Sequence, residues 1–363
     1  MLAESIRRVV ARQELSRAEA RAALEEILSG AASPAQIAAF LTGLAMKGES
    51  SGELTGFAEA IRAAAAPWPG LHATVAATGT GHEALADSSL VDTCGTGGDA
   101  AGTFNISTAA AIVAAGAGLR IAKHGNRSIS SRCGSADVLE ALGVRVDLPP
   151  DEAAECLRVT GLTFLYAPRM HGAMKQVQPV RRELGFRTVF NLLGPLCNPA
   201  GAQAQVVGVY APELTTKMAE ALAALGTRRA FVAHGEDGLD EVTTTAPTRI
   251  SEVREGSVKT YTLDARDLGI ERAGLDDLAG GDAGENARII AQVLDPQQQA
   301  DQKSLPGKRL RAQRDITVLN AAATLLAGNA VAEWPEAIAR ARQALASGKA
   351  QAALQRWIAY AQR

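Results

Sequence analysis

Residues Val91 to Gly102 read VDTCGTGGDAAG, with glycines at 95, 97, 98 and 102. A β-type run, SLVDT, leads into these glycines, and a helix-like run, NISTAAAIVAAGAG, follows from Asn105. Strand, glycine turn and helix in that order form the unit from which α/β sheets are assembled. The order also sets main-chain N–H groups and a helix N-terminus at the carboxyl end of a strand, where such folds bind anionic ligands. The two best-known glycine fingerprints do not fit. A P-loop needs Lys and then Ser or Thr directly after its last glycine, and a dinucleotide loop needs G-x-G-x-x-G. Here an aspartate, Asp99, sits inside the turn. A carboxylate beside phosphate is repulsive unless a metal ion or a sugar hydroxyl lies between, so the loop points to a ligand carrying both. A tight turn without ligand is the alternative for this loop taken alone.

Working outward, the short β-type runs SLVDTCG, LRIAKHG, VRVDL (144–148), LTFLYA, AQVVGVY and RAFVAHG alternate with Ala-rich helical stretches. The expectation is an α/β sheet with crossover helices from about residue 89 onward. The first 66 residues read instead as helices. Ser16 with Glu19, Ser33 with Gln36 (Pro34 between them) and Ser50 with Glu53 each show the capping-box spacing. Ile37, Phe40, Leu41 and Leu44 share one face at helical spacing. PWPG (67–70) ends that pattern, residues 73–88 read as a connector, and the polar stretch 295–313 reads as a surface loop.

The chain has 363 residues, 47% hydrophobic and 21% charged, with 37 basic against 39 acidic side chains. A net charge of -2 gives no support for affinity resting on a nucleic-acid backbone. The N-terminus lacks the continuous apolar core of a signal peptide, and nowhere do eighteen apolar residues run uninterrupted, so a soluble, cytoplasmic protein is expected. Cysteines 94, 133, 156 and 197 are widely spaced without a C-x-x-C pair, which argues for reduced thiols rather than disulfides or structural zinc.

Four further segments carry chemistry. Ser107 and Thr108, opening the helix after the glycine loop, can cap it or offer hydroxyls to phosphate or Mg²⁺. In KHGNRSISSRCGSADVLEALG (123–143), Lys123 and Arg127 bring charge, Gly125 allows close approach, and Asn126, Ser128, Ser130 and Ser131 bring directional donors, a combination suited to a polyphosphate. His124 is open between general base, ring-stacking partner and packing residue. Arg181 and Arg182 suit bidentate carboxylate recognition or a solvated helix face. HGEDGLDEVTTT (234–245) holds Asp237, Asp240 and Glu241, and adjacent Asp240 and Glu241 can present oxygens to a hard cation or form a solvated acidic turn.

DTCGTGGD, NIST, KHGNRSISSRCGSADVLEALG, VRRELGFRTVFNLLGPLCNP and HGEDGLDE stand in the order and approximate spacing of anthranilate phosphoribosyltransferases. The resemblance extends from the N-terminal helices to RDITVLNAAATLLAG (314–328). It implies an α/β fold similar to class II nucleoside phosphorylases. In that fold a small helical domain (1–70, with part of about 168–195 packed on it) joins a larger α/β domain (71–363) whose central sheet is mostly parallel. It also implies a homodimer, and 5-phosphoribosyl 1-diphosphate, anthranilate and two Mg²⁺ ions as ligands. By the resemblance, Gly95, Gly98, Asp99, Thr103, Asn105, Ile106, Ser107 and Thr108 are similar to the pyrophosphate and ribose-phosphate site. Lys123, His124, Gly125, Asn126, Arg127, Ser128, Ile129, Ser130 and Ser131, with Ser135, are similar to its second wall. Asn126 and Arg181 match anthranilate contacts, Ser107 a ligand of one Mg²⁺, and Asp240 and Glu241 ligands of the second; Asp99, Lys123 and Arg181 are the implied catalytic residues. Many relatives have Pro or a second His where this chain has Gly172 after His171, which implies a differently shaped anthranilate entrance. The runner-up enzyme is a nucleoside phosphorylase or a phosphoribosyltransferase for another aromatic acceptor. A nucleic-acid-binding relative would be expected to show a basic surface and eroded GTGGD and DE motifs, unlike this chain.

Overall fold

The computed structural model describes residues 1–69, 89–99, 101–128, 132–298 and 305–361, so the connector at 73–88 lies outside it. Seven strands form one sheet: β1 (Val91–Gly95), β2 (Ile121–Gly125), β3 (Leu162–Tyr166), β4 (Ala204–Gly208), β5 (Arg229–Gly235), β6 (Thr248–Arg254) and β7 (Ser257–Leu263). Their spatial order is β3-β2-β1-β4-β5-β6-β7. The first five are parallel, and β6 and β7 add an antiparallel hairpin. From β1 the chain proceeds outward through β2 to β3, then returns to lay β4 on the other edge of β1. Crossovers therefore leave β1 and β4 in opposite directions and open a crevice at their carboxyl ends, the position where open α/β sheets take ligands. Register places Gly95 directly beside Gly208 there.

Alternation along the strands builds two cores. Val206, Phe231, Ala233 and Ile250 face a cluster that contains the helix Ile106–Gly116 and the C-terminal helices, whereas Val207, Val209, Val232 and Val253 face one shared with the N-terminal helices. The second cluster includes Val177, Val180, Val189 and Phe190, so the 177–190 segment packs against Leu24, Ile27 and Phe40.

Four helices open the chain, α1 (Leu2–Val10), α2 (Arg17–Leu28), α3 (Pro34–Lys47) and α4 (Ser51–Ala63). All three expected capping boxes form. In each, the serine hydroxyl accepts the third-residue N–H at 3.3 Å, and the Glu or Gln side chain accepts the serine N–H at 2.9 Å. Glu53 exceeds its capping role. Its carboxylate is wholly buried, accepts the Leu15 N–H at 2.9 Å and pairs with Lys47 at 2.7 Å, so one side chain joins three helix ends.

Two expected elements differ. VRVDL forms no strand: Val144, Val146 and Leu148 are buried and Arg145 and Asp147 exposed, but the segment lies within the crossover from β2 to β3 and pairs with nothing in the sheet. Alternation reports one-sided burial, and pairing needs a free edge as well. The supposed loop at 295–313 becomes helix from Leu305, part of the helix Leu305–Ala327; residues 299–304 lie outside the described set. Two of its arginines bind main-chain carbonyls of adjacent segments. Arg309 donates to the Ala279 oxygen at 2.6 Å, and Arg314 donates to the oxygens of Val293 (3.2 Å), Gln298 (2.6 Å) and Asp295. The β6–β7 hairpin was legible but not anticipated: Glu255 (φ 49°) and Gly256 (φ 81°) make a two-residue turn between alternating strands. Among the described residues no helix is long and apolar enough to cross a membrane.

His124, on β2, is buried. Its Nδ1 lies 3.1 Å from the Gly194 oxygen, which can only accept, so that nitrogen carries the proton. Its Nε2 lies 3.2 Å from His171 Nε2, and with the His124 Nδ1 proton facing Gly194 the His124 Nε2 accepts from His171, a contact closed to two charged rings. Burial pulls His124 down to about 4, and burial with the neighbouring ring pulls His171 down to about 3.

Two outcomes follow from these buried groups. Glu53→Ala leaves the Lys47 ammonium unpaired and is expected to cost about 3–5 kcal/mol in urea unfolding. The double replacement Lys47→Met with Glu53→Leu is expected to cost far less; an equal loss would show that the charge pair is not what matters. Because both histidine pKa values lie below the ordinary 6.5, the unfolded chain takes up protons first as pH falls. The histidine contribution to stability should be fully present above pH 6.5 and be lost as pH falls to about 3–4. His171→Gln should flatten part of that decline in unfolding midpoints measured against pH.

Candidate active site

The site is assembled on a contact that leaves no room for a side chain. A Cβ on Gly208, the last residue of β4, would lie 1.5 Å from the main-chain oxygen of Asp240. The segment carrying Asp240 and Glu241 therefore lies directly on the carboxyl end of β4. From there Asp240 reaches across to the glycine loop after β1, where its Oδ2 accepts the Gly97 N–H at 3.0 Å. The loop turns through positive φ at Gly97 (64°) and Gly98 (85°), which glycine adopts without strain. Asp99 accepts the Ala101 N–H at 3.4 Å and stands close enough to Asp240 to act on its ionisation.

The glycine loop feeds α5 (Ile106–Gly116), whose first residue is buried in the core. Asn105 precedes it without capping it by its side chain, and the first-turn amides find partners nearby, Ile106 N–H on the Phe104 oxygen at 2.7 Å and Thr108 N–H on the Asn105 oxygen at 3.1 Å. Ser107 N–H donates to Glu241 Oε1 at 3.2 Å. Thr108 Oγ1 is buried without a hydrogen-bond partner among the described residues. Thr103 makes a bridge to Ala279 beside the loop. Lys123 lies within β2, as the run LRIAKHG implies, and is buried, with Nζ donating to the Thr93 oxygen, to Thr93 Oγ1 at 3.4 Å and to Ser107 Oγ at 3.3 Å. Its ammonium therefore sits under the N-terminus of α5, at the centre of the cluster.

Asp99, Asp240 and Glu241 set three carboxylates against this one ammonium. Burial, with Asp99 and Glu241 adding repulsion, raises the Asp240 carboxyl well above its usual range. Burial also raises Glu241, to about 7, against the pull of Lys123. Lys123 is drawn below the usual ammonium range by burial, opposed chiefly by Asp92. Such a cluster is costly to hold together and is complemented by a divalent cation. Among the described residues no group of three or more His, Cys, Asp or Glu could enclose an ion unaided. The donors present, carboxylate oxygens and the Ser107 hydroxyl, fit Mg²⁺, which takes one or two protein carboxylates and fills its remaining positions with water and phosphate oxygens.

The second wall is partly as expected. Gly125 ends β2; Asn126 Oδ1 accepts the Arg127 N–H at 2.8 Å, and the Asn126 oxygen accepts from Ser135 Oγ at 3.4 Å. Ser128 donates its N–H to Asp137 at 3.0 Å. Ile129, Ser130 and Ser131 lie outside the described residues. Arg127 differs from the expectation of a charge offered to polyphosphate: its guanidinium grips Glu140 at 2.5 and 2.6 Å and Asp137 at 3.3 Å. These carboxylates lie on α6 (Ser135–Ala141), which follows the loop, and they claim the charge before a ligand can. Arg181, in the short helix Gln178–Leu184, is half-buried over the Phe190 ring at 5.3 Å, with no carboxylate partner among the described residues. Gly172 faces open space, so its lack of a side chain widens that flank.

Several supporting contacts escaped the sequence reading. Arg187 donates to the Gly98 oxygen at 2.8 Å while lying 4.4 Å over the Tyr210 ring, pinning the glycine loop to the end of β4. Asp237 accepts from Leu239 N–H at 3.0 Å, Thr243 Oγ1 at 2.7 Å and Thr245 Oγ1, which shapes the turn before Asp240. Asn320, in the helix Leu305–Ala327, clamps the residue after Glu241 by accepting Val242 N–H at 3.1 Å and donating to its oxygen at 2.9 Å. The available signals were three consecutive threonines after an acidic turn and a lone Asn in an Ala-rich helix; neither names its partner.

Comparison with known proteins supplies the remaining context. Residues 87–351 match the model of the glycosyl transferase family, a/b domain, and residues 3–65 match its helical bundle domain. The anthranilate phosphoribosyltransferase of Moorella thermoacetica is 52% identical over 360 residues, covering 99% of this chain and 98% of that protein. The crystal structure of the Thermus thermophilus enzyme superposes with a TM-score of 0.86 at 39% identity, covering 99% of both chains. The Saccharomyces cerevisiae enzyme in complex with PRPP and Mg gives 0.82 at 28% identity, covering 99% of this chain and 98% of that one. With the helical bundle and the mostly parallel seven-stranded sheet both present, the chain belongs to the anthranilate phosphoribosyltransferase family.

Proposed function

We propose a residue-level account of how this chain carries out anthranilate phosphoribosyltransferase activity in tryptophan biosynthesis. In that reaction the amine of anthranilate attacks C1 of 5-phosphoribosyl 1-diphosphate. A C–N bond forms, the C–O bond to pyrophosphate breaks with its electron pair leaving on oxygen, and the amine gives up a proton. The observation that carries the account is the meeting of Asp99, Asp240, Glu241 and Lys123 with the glycine loop and the N-terminus of α5. An anionic leaving group and a cationic ribosyl carbon call for fixed electrostatics rather than a nucleophile.

In this account the glycine loop at Gly95–Asp99 and the N-terminus of α5, from Asn105 to Thr108, face the diphosphate, with Thr103 beside them. Asp99 accepts from ribose hydroxyls. Lys123 stabilises departing negative charge through the Ser107 hydroxyl it touches. Gly125 to Ser131, with Ser135, form the opposite wall, where Arg127 acts by ordering the loop. Ser107 would hold one Mg²⁺ and Asp240 with Glu241 a second, and such ions when bound neutralise phosphate charge. Arg181, set over Phe190 with no carboxylate partner among the described residues, receives the anthranilate carboxylate, and the Asn126 amide NH₂ donates beside it. The same account divides the chain into a helical unit (1–70) and an α/β unit (71–363), pairs two copies through the exposed Val10 and Met46 of α1 and α3, and places the enzyme in the cytoplasm.

The direct test mixes the protein with Mg²⁺, 5-phosphoribosyl 1-diphosphate and anthranilate and follows loss of anthranilate fluorescence. Folded, uninhibited protein that consumes none defeats the account. Asp240→Asn with Glu241→Gln should lower turnover at ordinary Mg²⁺ and raise the Mg²⁺ concentration for half-maximal rate, with the thermal transition retained; unchanged Mg²⁺ dependence would remove both as metal ligands. Arg181→Ala should raise KM for anthranilate by roughly tenfold or more, the scale of a charge-assisted hydrogen bond, and KM for the phosphoribosyl donor much less. Equal rises in steady-state kinetics would rule out a carboxylate clamp.

A further inference from the structure

Asn105 stands where the glycine loop becomes α5, yet its side chain is held from 181 residues away. Asn286, in the helix Ala283–Leu294, is 1% exposed and donates from Nδ2 to Asn105 Oδ1 at 2.9 Å. Its own Oδ1 accepts the Gly281 N–H at 2.8 Å. A main-chain N–H only donates, so the Asn286 arm facing Gly281 must be the oxygen and the arm facing Asn105 must be NH₂. The Asn105 arm facing Asn286 must then be oxygen, which leaves Asn105 Nδ2 turned towards the second wall, 3.3 Å from the Cys133 oxygen. Cys133 reinforces the same choice, its thiol donating to Asn105 Oδ1 at 3.4 Å.

The base of this chain of amides is firm. Residues 278–281 run beside the end of the glycine loop, with Phe104 N–H donating to the Leu278 oxygen at 3.1 Å, Gly280 N–H to the Gly102 oxygen at 2.8 Å, and Thr103 bridged to Ala279. Gly281 thus cannot turn away without disturbing the loop itself.

We infer that Asn286 is a positioning residue that sets the amide orientation of Asn105, so that the phosphoribosyl site presents an NH₂ donor rather than a carbonyl oxygen to the anionic substrate. The inference rests on the account of Asn105 given above and extends it to a residue that touches no ligand. Reversing the Asn105 amide would put a partial negative charge where a phosphate oxygen or ribose lone pair is to be received, so the effect falls on the phosphoribosyl donor and not on anthranilate.

Asn286→Asp is the sharp variant: it keeps the shape and the acceptor for Gly281 but cannot donate to Asn105. Asn286→Ala removes the bridge without adding charge. Both are expected to raise KM for 5-phosphoribosyl 1-diphosphate roughly five- to tenfold, the range of one directional hydrogen bond. KM for anthranilate should stay within about twofold on the same scale. A purely structural role would lower kcat through lost active protein and leave both KM values in place, and that result overturns the inference. Should thermal melts show that neither variant folds, Asn105→Asp keeps the acceptor that faces Asn286 but puts an oxygen where the NH₂ stood: a selective rise in KM for the donor supports the inference, and none overturns it. Wild-type protein is run alongside, with Mg²⁺-dependent binding of 5-phosphoribosyl 1-diphosphate measured by calorimetry. Wild type that neither binds the donor nor consumes anthranilate defeats the underlying account and the inference together; active wild type with unaltered variants defeats the inference alone.

Discussion

The peptide of Asp240 rests on Gly208, and the geometry of the whole crevice depends on that contact. Any side chain at the end of β4 would lift the acidic segment off the sheet, and Asp240 could no longer accept from the glycine loop of β1. Gly95 stands beside Gly208 in register for the same reason, since its own Cβ would lie 2.7 Å from Asp240 Oδ2. Two adjacent strands thus end in glycine where the sheet reverses its direction of growth. Backbone groups from both can then meet at one point, which is how a switch point becomes a binding site.

That meeting concentrates charge. Three carboxylates and a buried ammonium share the space around the first turn of α5, and the positive end of the helix favours the acidic groups only within about one turn. Burial raises Asp240 and Glu241 and lowers Lys123, so the protein holds each of these groups against its own solvation preference. Groups maintained in this way mark function more often than stability. A site that must receive a metal-bound diphosphate gains from carboxylates that are fixed beforehand, because no reorganisation is then needed as charge develops.

Fixing them falls to a layer of neutral amides, hydroxyls and one arginine. Asn320 clamps both polar groups of Val242, Asp237 gathers Thr243 and Thr245, Arg187 joins Gly98 to Tyr210, and Asn286 orients Asn105. None of them belongs to a pattern that names its partner, and Asn286 and Asn320 sit in ordinary helices. Arg127 shows the converse. It stood among donors in a loop suited to polyphosphate, yet Glu140 and Asp137 of the next helix bind it. A residue type and its neighbours in sequence define what a side chain can do, while its three-dimensional neighbours decide whether it remains available.

The sequence by itself determined what depends on short-range rules. The three capping boxes, the glycine turn between β1 and α5, six strand-like segments of which five pair, and the acidic pair at 240–241 follow from local backbone preference and side-chain period. Tertiary structure alone decided that VRVDL stays unpaired, that helix begins at Leu305 within a polar stretch, and that His124 pairs with His171 beneath the site. It alone brought Asp240 to Gly97, Glu241 to Ser107 and Asn286 to Asn105, across separations of 143, 134 and 181 residues. The physical reason is range: steric and hydrogen-bonding preferences within a few residues are written into each segment, whereas a contact between distant segments exists only after the sheet has set their separation and burial has removed water as a competing partner.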